Sequence, residues 1–201
     1  MHRLGRGFFE RPTVQVAREL VGAALLSDPG GDDEVLARIV EVEAYLGTQD
    51  EASHAHRGPT PRAAIMFGVP GHLYVYLSYG IHHCANLVTE PDGRAGAVLL
   101  RAAAVERGEA VVRRRREVAG GRTPQPVERL LSGPGNLCQG LRLARGDNGI
   151  DVCDGSSRLA VLAAVEPPPL VSGPRVGINR AADAPLRFAW RSHPAVSRPP
   201  G

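Results

Sequence analysis

The sequence predicts an α+β protein, a single mixed domain in which helices flank a mostly antiparallel β-sheet. Apolar, β-branched runs are separated by hairpin-type turns such as D-P-G-G-D-D and P-D-G, which outnumber the crossovers that parallel strands need. The length of 201 residues suits one domain with a sizeable core. Because no repeat or linker divides the chain, we expect one domain over residues 1–201, with residues 194–201 as a loose Pro-rich tail.

The first third of the chain predicts a helix, two strands and a short second helix. Thr13 can cap a helix whose apolar residues recur at helical spacing and which ends near Gly22. The run A-A-L-L then starts a strand, and the D-P-G-G-D-D turn leads into its neighbour. Further along, Thr60 and Pro61 are residue types that start helices, so T-P-R-A-A-I-M-F-G predicts a short helix.

The strand around residues 38–45 is the most informative stretch. Its β-branched residues indicate a buried strand, yet it contains Glu41 and Glu43. Because side chains alternate along a strand, both carboxylates and Tyr45 should lie on one face. An unpaired buried carboxylate is costly, so these acids are either ion-paired to arginines at a sheet edge or part of a functional site.

The tyrosines of the chain cluster in and after two predicted strands. All four are Tyr45, Tyr74, Tyr76 and Tyr79, and aromatic residues make up only 4% of the chain. Tyr74 and Tyr76 share one face of the strand L-Y-V-Y-L-S. Such residues can simply fill a core, or their rings can stack against a planar ligand such as a nucleobase, and both interpretations stay open.

The second half of the chain continues the sheet and adds an arginine-rich helix. I-H-H-C-A-N-L-V-T-E and A-G-A-V-L-L-R-A-A-A-V predict partner strands, and Arg101 interrupts the second one. A buried arginine needs an acid or an anion, either Glu43 or the site that Glu43 faces. Residues 105–118 predict a helix in which Arg113–Arg116 form a solvated surface or contact phosphate.

A break between two short predicted helices follows at Gly133-Pro134. The backbone N–H groups of Gly135 and Asn136 could bind a phosphate there, because the N-terminus of a helix favours anions. One such break occurs in many proteins and indicates little by itself.

Composition limits the compartment and the chemistry. The net charge of +3 and the pI near 9.0 are compatible with nucleic acid binding without indicating it strongly. Neither a signal peptide nor a membrane span is predicted, and the three cysteines lack metal-ligand spacing, so we expect a cytoplasmic protein with reduced core cysteines and no metal. All 24 basic residues are arginine, so no lysine can form a Schiff base.

Five motifs in a fixed order make the chain resemble the alkyladenine (3-methyladenine) DNA glycosylase family. They are E-V-E-A-Y-L-G-T-Q-D-E-A-S-H, M-F-G-V-P-G-H-L-Y-V-Y-L-S-Y-G, A-V-L-L-R-A, S-G-P-G-N-L-C-Q and P-R-V-G-I, and the resemblance covers roughly residues 8–190. This is the family of mammalian N-methylpurine glycosylase and its bacterial homologues. It implies a curved antiparallel sheet, no metal or organic cofactor, and double-stranded DNA containing damaged purines as the partner.

The same resemblance implies a catalytic group. Glu43 matches the base that activates water and stabilises the positive charge developing on the sugar. Arg101 would help to hold that water and keep Glu43 charged, and Val176 would offer its backbone carbonyl to the same water. Glu41 shares the face of Glu43 and is the alternative base, although a structural ion pair is its favoured role.

The resemblance also implies how the damaged nucleotide is bound. The residues that match the base pocket are Tyr45, His54, Tyr76 and Asn86, and the residue that matches the wedge in the minor groove is Tyr79. Asn86 would exclude the 2-amino group of normal guanine. Aromatic walls would favour a cationic alkylated purine through cation–π attraction.

The function implied is that of a base-excision-repair DNA glycosylase. It would flip alkylated, and also deaminated, purines out of the duplex, hydrolyse the N-glycosidic bond and leave an abasic site. The absence of lysine predicts a monofunctional enzyme that leaves the strand intact. We expect a monomer that works at the nucleoid without a membrane partner. The alternatives are a non-catalytic binder of distorted DNA and a nucleoside N-glycoside hydrolase.

Overall fold

A computed structural model describes residues 1–116 and 125–198, and its main feature is a curled sheet of eight strands. In chain order the strands are β1 (Ala24–Ser27), β2 (Val35–Tyr45), β3 (Leu73–Ser78), β4 (His82–Val88), β5 (Ala97–Arg107), β6 (Leu159–Leu162), β7 (Leu170–Gly173) and β8 (Arg187–Trp190). Their order is β3-β4-β5-β2-β1-β6, with β8 pairing with both β2 and β7. All pairings between these strands are antiparallel, which confirms the predicted α+β class and curved antiparallel sheet.

The helices are short and connect or cover the strands. They are α1 (Arg6–Phe9), α2 (Thr13–Leu20), α3 (Glu109–Arg116) and α4 (Pro134–Gly140), with 3-10 helices at Gly47–Gln49, Ala64–Phe67, Val127–Arg129 and Arg145–Asp147. The buried face of α2 packs on β2 and β5, so this helix covers the inner side of the sheet beneath the strand that holds Glu41 and Glu43.

Two predicted helix starts differ from those observed. Thr13 is the first residue of α2 rather than its cap, because the carboxylate of Glu90, after β4, accepts the Thr13 backbone N–H at 2.7 Å. The segment after Thr60 forms only the 3-10 helix Ala64–Phe67, although the Thr60 hydroxyl accepts the N–H of Ala63 at 3.2 Å.

The predicted helix over residues 105–118 begins later than expected. β5 continues to Arg107 because Val105 still pairs with Ala37 of β2, and sheet pairing outweighs the helical pattern of the local sequence. Gly108 then takes a φ of +82°, where an added Cβ would lie 2.4 Å from the Glu34 carbonyl oxygen, and α3 starts at the next residue. Residues 117–118 of the predicted helix lie outside the described residues.

The cysteines are free, and two of them belong to the core as expected. Cys84 and Cys138 are buried, whereas Cys153 is only partly buried. Burial raises the pKa of all three thiols, and that of Cys153 reaches about 11. These groups therefore stay protonated at neutral pH.

The end of the chain is packed rather than loose as far as Arg198, which corrects the expected tail over residues 194–201. Ala195 is fully buried, and the backbone N–H of Ser197 donates to Glu41 Oε2 at 2.7 Å. The carbonyl of Arg198 accepts a hydrogen bond from Arg187 at 3.2 Å. The buried carboxylate of Glu41 thus holds this segment in place, and residues 199–201 lie outside the described residues.

Candidate active site

The site is organised by the two buried acids of β2. Glu41 and Glu43 have no exposed surface, and β2 is paired on both edges here, with β5 on one side and β8 on the other. The acids are therefore in the middle of the sheet and not at its edge. A carboxylate in such a place needs several donors to replace lost water.

The pairing of β2 with β5 is irregular where the acids meet Arg101. The register steps from Glu41 opposite Ala102 to Val42 opposite Leu100, so Arg101 has no opposing residue. Another shift lies just before Glu41. Extra residues of this kind turn side chains away from their regular direction, and this stretch contains both an acid and the arginine that binds it.

Glu43 has three polar partners: it accepts two hydrogen bonds and forms one ion pair. The Tyr45 hydroxyl donates to Oε2 at 2.9 Å, and the Val176 backbone N–H donates to Oε1 at 2.7 Å. Arg101 Nη1 lies 3.1 Å from the same Oε1. Hydrogen bonds and an ion pair of this type fix the orientation of a carboxylate. For Val176, the observed contact is through the N–H rather than the carbonyl named by the resemblance.

Glu41 is held by a different set of donors. Arg101 Nε lies 2.9 Å from Oε1, Arg187 Nη1 lies 3.2 Å from the same oxygen, and the Ser197 N–H binds Oε2. Two guanidinium groups and a backbone donor therefore surround this carboxylate. Such contacts suit a structural ion pair, the role favoured for Glu41 over that of a base.

A cavity of about 530 Å³ lies beside this buried cluster. The predicted site residues that line it are Tyr45, His54, Tyr76, Tyr79, Asn86, Arg101 and Val176. Glu43 is enclosed behind this wall and reaches the cavity through Tyr45, Arg101 and Val176, its three partners. The structure thus brings all the predicted site residues together, with Glu43 one layer deeper than expected.

The aromatic wall of the cavity also includes Tyr74, which was not among the predicted site residues. The rings of His54 and Tyr76 meet edge to face with centroids 4.6 Å apart. Tyr74 supports both, because its hydroxyl lies 2.9 Å from His54 Nδ1 and its ring centroid 5.3 Å from that of Tyr76. Its place on the same strand face as Tyr76 was the signal in the sequence for this contact.

Burial controls the protonation of the wall. It lowers the pKa of His54 to about 4, with the charge of Arg62 acting in the same direction, so this imidazole is neutral at pH 7. Burial also raises the pKa of Tyr45 and Tyr76 above the usual phenol value. These side chains are uncharged near neutral pH, and Tyr45 and Tyr76 are too weakly acidic to act as general acids.

Each of two tyrosine rings in the wall already contacts a guanidinium group. Arg62 lies over Tyr76 at 4.8 Å, and Arg175 lies over Tyr45 at 4.7 Å. Arg175 forms a fully buried ion pair with Asp50, with Nη2 and Oδ1 2.8 Å apart. Neither arginine was predicted to contact a ring. Each follows a proline in the sequence, and such a position does not indicate a contact with an aromatic side chain. Both contacts reduce the cation–π attraction that the rings offer to a ligand.

The turn between β3 and β4 presents Tyr79 to solvent. Tyr79 is 89% exposed and Ile81 is 71% exposed, which is unusual for large apolar side chains. The Ile81 N–H donates to the Ser78 carbonyl at 3.0 Å, and Tyr79 has a φ of 50°, a strained value for a non-glycine residue. An exposed ring on a tight turn at the rim of a cavity is suited to insertion into a partner.

The arginines of α3 contact other parts of the chain. Arg113 pairs with Glu109, Arg114 with Asp33 and Arg115 with Asp28, at 2.7, 2.6 and 3.1 Å. The fourth, Arg116, binds the side chain of Asn136. These contacts favour a structural role for the run over the phosphate contact considered above.

The N-terminus of α4 packs beside β4, the strand that follows the Tyr79 turn. A Cβ added to Gly135 would lie 3.0 Å from the His82 ring, and Pro134 lines the cavity. The Asn136 amide donates to the Ser132 carbonyl at 2.7 Å. The Gly133-Pro134 break therefore builds part of the cavity rim.

Two other kinds of feature are absent from the described part of the chain. Residues 1–116 and 125–198 contain no group of three or more His, Cys, Asp or Glu residues arranged to hold a metal ion. Within the same residues, no helix has the length and apolar character needed to cross a membrane.

Comparison with known proteins shows one family. Residues 7–194 match the family described as Methylpurine-DNA glycosylase (MPG). A Cutibacterium acnes relative is 45% identical over 194 residues, covering 94% of this chain and 96% of its own. A Rhodopseudomonas palustris relative is 45% identical over 196 residues (98% and 88%), and a Methanocella arvoryzae relative is 43% identical over 203 residues (98% and 98%). All three share the description 3-methyladenine DNA glycosylase.

The fold, the enclosed carboxylate and these matches define a hydrolase of the DNA glycosylase class, which acts in the repair of alkylated bases. The chain belongs to the methylpurine-DNA glycosylase family, so the resemblance seen in the sequence is confirmed.

Proposed function

We propose that the protein starts base-excision repair by flipping a damaged purine out of duplex DNA and hydrolysing its N-glycosidic bond with a water activated by Glu43. The observation that carries the proposal is the place of Glu43, directly behind a cavity walled by tyrosine and histidine rings. Three donors keep its carboxylate in one orientation, as a base with a fixed line of attack requires. The descriptions of the relatives favour 3-methyladenine as a substrate.

Hydrolysis makes one bond and breaks one bond at the sugar carbon C1′. The water oxygen bonds to C1′, a water proton passes to Glu43, and the electron pair of the C1′–N bond leaves with the purine. Positive charge builds on the sugar during this step, and the ionised carboxylate stabilises it. A purine alkylated at N3 or N7 is a cation before the reaction and departs as a neutral molecule, so it needs no added proton.

We expect Arg101 and Val176 to hold the water. Both contact Glu43 and both line the cavity, so a water bound between them would approach the enclosed carboxylate from the cavity side. In this proposal the Val176 N–H orients Glu43 while its carbonyl accepts a hydrogen bond from the water. Arg101 supplies a positive charge 3.1 Å from the Glu43 carboxylate and is itself held by Glu41.

The cavity has the size and lining for a flipped base. About 530 Å³ lies within the range of roughly 300–1,000 Å³ that small-molecule sites occupy. Tyr45, His54 and Tyr76 would sandwich the base, and neutral His54 would not repel a cationic one. Asn86 is buried, and its amide donates to the Tyr74 carbonyl at 3.1 Å, which holds the side chain in place. We expect the 2-amino group of normal guanine to clash with it.

Tyr79 would fill the space that the nucleotide leaves in the duplex. Its exposed ring would offset part of the flipping cost, which is about a few kcal/mol. The proposed substrate is double-stranded DNA. The proposal includes a monomer that works at the nucleoid in the cytoplasm. Deaminated purines belong to the proposed range. Without lysine, only the α-amino group could form an imine with the sugar, so we propose a monofunctional enzyme.

The test is the release of damaged bases by a Glu43→Gln variant. Single-turnover rates are measured on oligonucleotides with 3-methyladenine, 7-methylguanine, hypoxanthine or ethenoadenine. We expect the variant to lose about 10²–10⁴-fold in rate, because a positioned base contributes that much, while DNA binding changes little. Glu51→Gln is the matched control, since Glu51 is an exposed acid in the loop after β2.

Two results would refute the proposal. A non-catalytic binder of distorted DNA would release no base from any of the four oligonucleotides, whatever residue 43 is. A nucleoside hydrolase would cleave free nucleosides with little dependence on salt, whereas DNA binding weakens steeply as salt increases.

A further inference from the structure

We infer that Arg62 is a catalytic residue for neutral damaged purines, where it stabilises the negative charge that such a base acquires as it departs. The inference rests on the proposed hydrolysis by Glu43 and goes beyond it, because it assigns the leaving-group side of the reaction. It also divides the substrates into two classes by charge.

The position of Arg62 places a guanidinium where the base would bind. Arg62 lines the cavity, and its Cζ lies 4.8 Å from the centroid of the Tyr76 ring. It belongs to the segment that precedes the 3-10 helix Ala64–Phe67, and its side chain is exposed. A base bound in this cavity would thus have a cation within reach.

The charge of Arg62 is not neutralised by the surrounding protein. Arg101, the other arginine of the cavity wall, lies between Glu41 and Glu43. In the described part of the chain, no carboxylate lies within ion-pair distance of Arg62, and no acidic residue lines the cavity. The net charge facing the base is therefore positive.

The other polar side chains near the base cannot take the same role. His54 is neutral at pH 7, and the Tyr45 hydroxyl already donates to Glu43. Burial raises the pKa of Tyr76, which makes it a poor acid. Arg62 is therefore the charged donor of this wall that is best placed to contact the departing ring.

The two classes of base leave in different charge states. When a neutral purine departs, the electron pair of the C1′–N bond leaves it as an anion, and solvent protonates it later. A guanidinium beside the ring donates to that anion as the charge develops. A cationic alkylated purine receives the same electron pair and departs neutral, so it gives Arg62 no anion to stabilise.

Because of this difference in charge, kcat/KM is the constant that shows the effect of Arg62. The base gains one electron pair during the step in both classes, so kcat, which starts from the bound state, should change similarly for neutral and cationic bases. The second-order constant kcat/KM compares free enzyme and DNA with the transition state. Removing Arg62 should lower kcat/KM for a neutral base but leave it nearly unchanged for a cationic base.

The experiment compares Arg62→Gln with wild type on matched duplexes that contain hypoxanthine or 7-methylguanine. We expect kcat/KM for hypoxanthine to fall about 10–100-fold, as for loss of one charged hydrogen bond, with less than about threefold change for 7-methylguanine. Arg62→Lys keeps the charge and should recover part of the hypoxanthine rate. Arg57→Gln removes an exposed charge from the same loop and should affect the two substrates equally.

Several outcomes would overturn the inference. An equal fall for both substrates would assign Arg62 to a phosphate contact, and no change would give it no role in the reaction. Failure of the wild-type protein to release hypoxanthine or ethenoadenine would refute it as well. Glu43→Gln is assayed in parallel on 7-methylguanine, so that activity without this carboxylate would identify a failure of the proposed function instead.

Discussion

Glu41 and Glu43 bind different nitrogen atoms of one buried guanidinium, with Arg101 Nε 2.9 Å from Glu41 and Nη1 3.1 Å from Glu43. The two acids are chemically alike and two residues apart, yet their other partners differ. Glu43 contacts residues of the cavity wall, whereas Glu41 contacts β8 and the end of the described chain. This division predicts opposite effects on stability and on activity.

We expect Glu41→Gln to destabilise the protein more than Glu43→Gln does, and to reduce activity less. Loss of the Glu41 charge leaves two buried arginines, Arg101 and Arg187, with less countercharge, and breaking such a pair costs about 3–5 kcal/mol. Urea unfolding gives the stabilities, and single-turnover base release at a temperature where both variants are folded gives the activities. A Glu41→Gln variant as stable as wild type and without activity would instead make Glu41 the base.

Tyr45→Phe should slow base release although the stacking ring remains. The change removes the hydroxyl that donates to Glu43 at 2.9 Å, and one charged hydrogen bond corresponds to about 10–100-fold in rate. Tyr76→Phe is the matched control, because its hydroxyl contacts Cys84 rather than Glu43, and it should keep a rate within about threefold of wild type. Equal losses in the two variants would show that the contact with Glu43 is not what makes the Tyr45 hydroxyl important.

Tyr79→Gly should reduce base release from duplex DNA without a large effect on stability. Glycine relieves the strain of a φ of 50° but adds backbone entropy to the unfolded chain, so stability should stay within about 1 kcal/mol of wild type. Base release from duplex DNA should fall about tenfold, while release from single strands, which need no flipping, should not change. A similar loss on both kinds of DNA would assign Tyr79 to the base pocket.

The pH dependence of stability should contain a contribution from His54. Its pKa of about 4 in the folded protein lies below the unfolded value near 6.5, so below pH 6.5 the unfolded chain binds more protons. The contribution is complete above pH 6.5 and is lost as the pH falls toward 4. Because His54 is only partly buried, solvent screening should keep this contribution below about 1 kcal/mol. Urea unfolding at pH 7 and pH 5 should show a smaller loss for His54→Gln than for wild type.

The sheet and the common face of Glu41, Glu43 and Tyr45 could be predicted because a period of two along one strand is a local property. For Arg101 the sequence indicated only that a buried arginine needs an acidic partner, and not that it would bind both Glu41 and Glu43. The geometry of this contact depends on an irregular register between two strands sixty residues apart, which no local pattern records.

The packed end of the chain and the arginines on the ring faces could not be predicted for a related reason. The contact of Ser197 with Glu41 uses a backbone N–H, which every residue except proline has. Similarly, Arg62 and Arg175 reach Tyr76 and Tyr45 across the fold, and arginine occurs too often in this chain for its position to be informative.

The contact between Ser197 and Glu41 has a practical consequence for handling the protein. Only three residues would separate an affinity tag or fusion partner joined after Gly201 from Arg198, whose carbonyl is bound by Arg187. Tension or steric crowding at that junction would be transmitted to the buried carboxylate and, through Arg101, to its neighbour. The segment Ala195–Arg198 is therefore a poor place for an insertion or a bulky substitution.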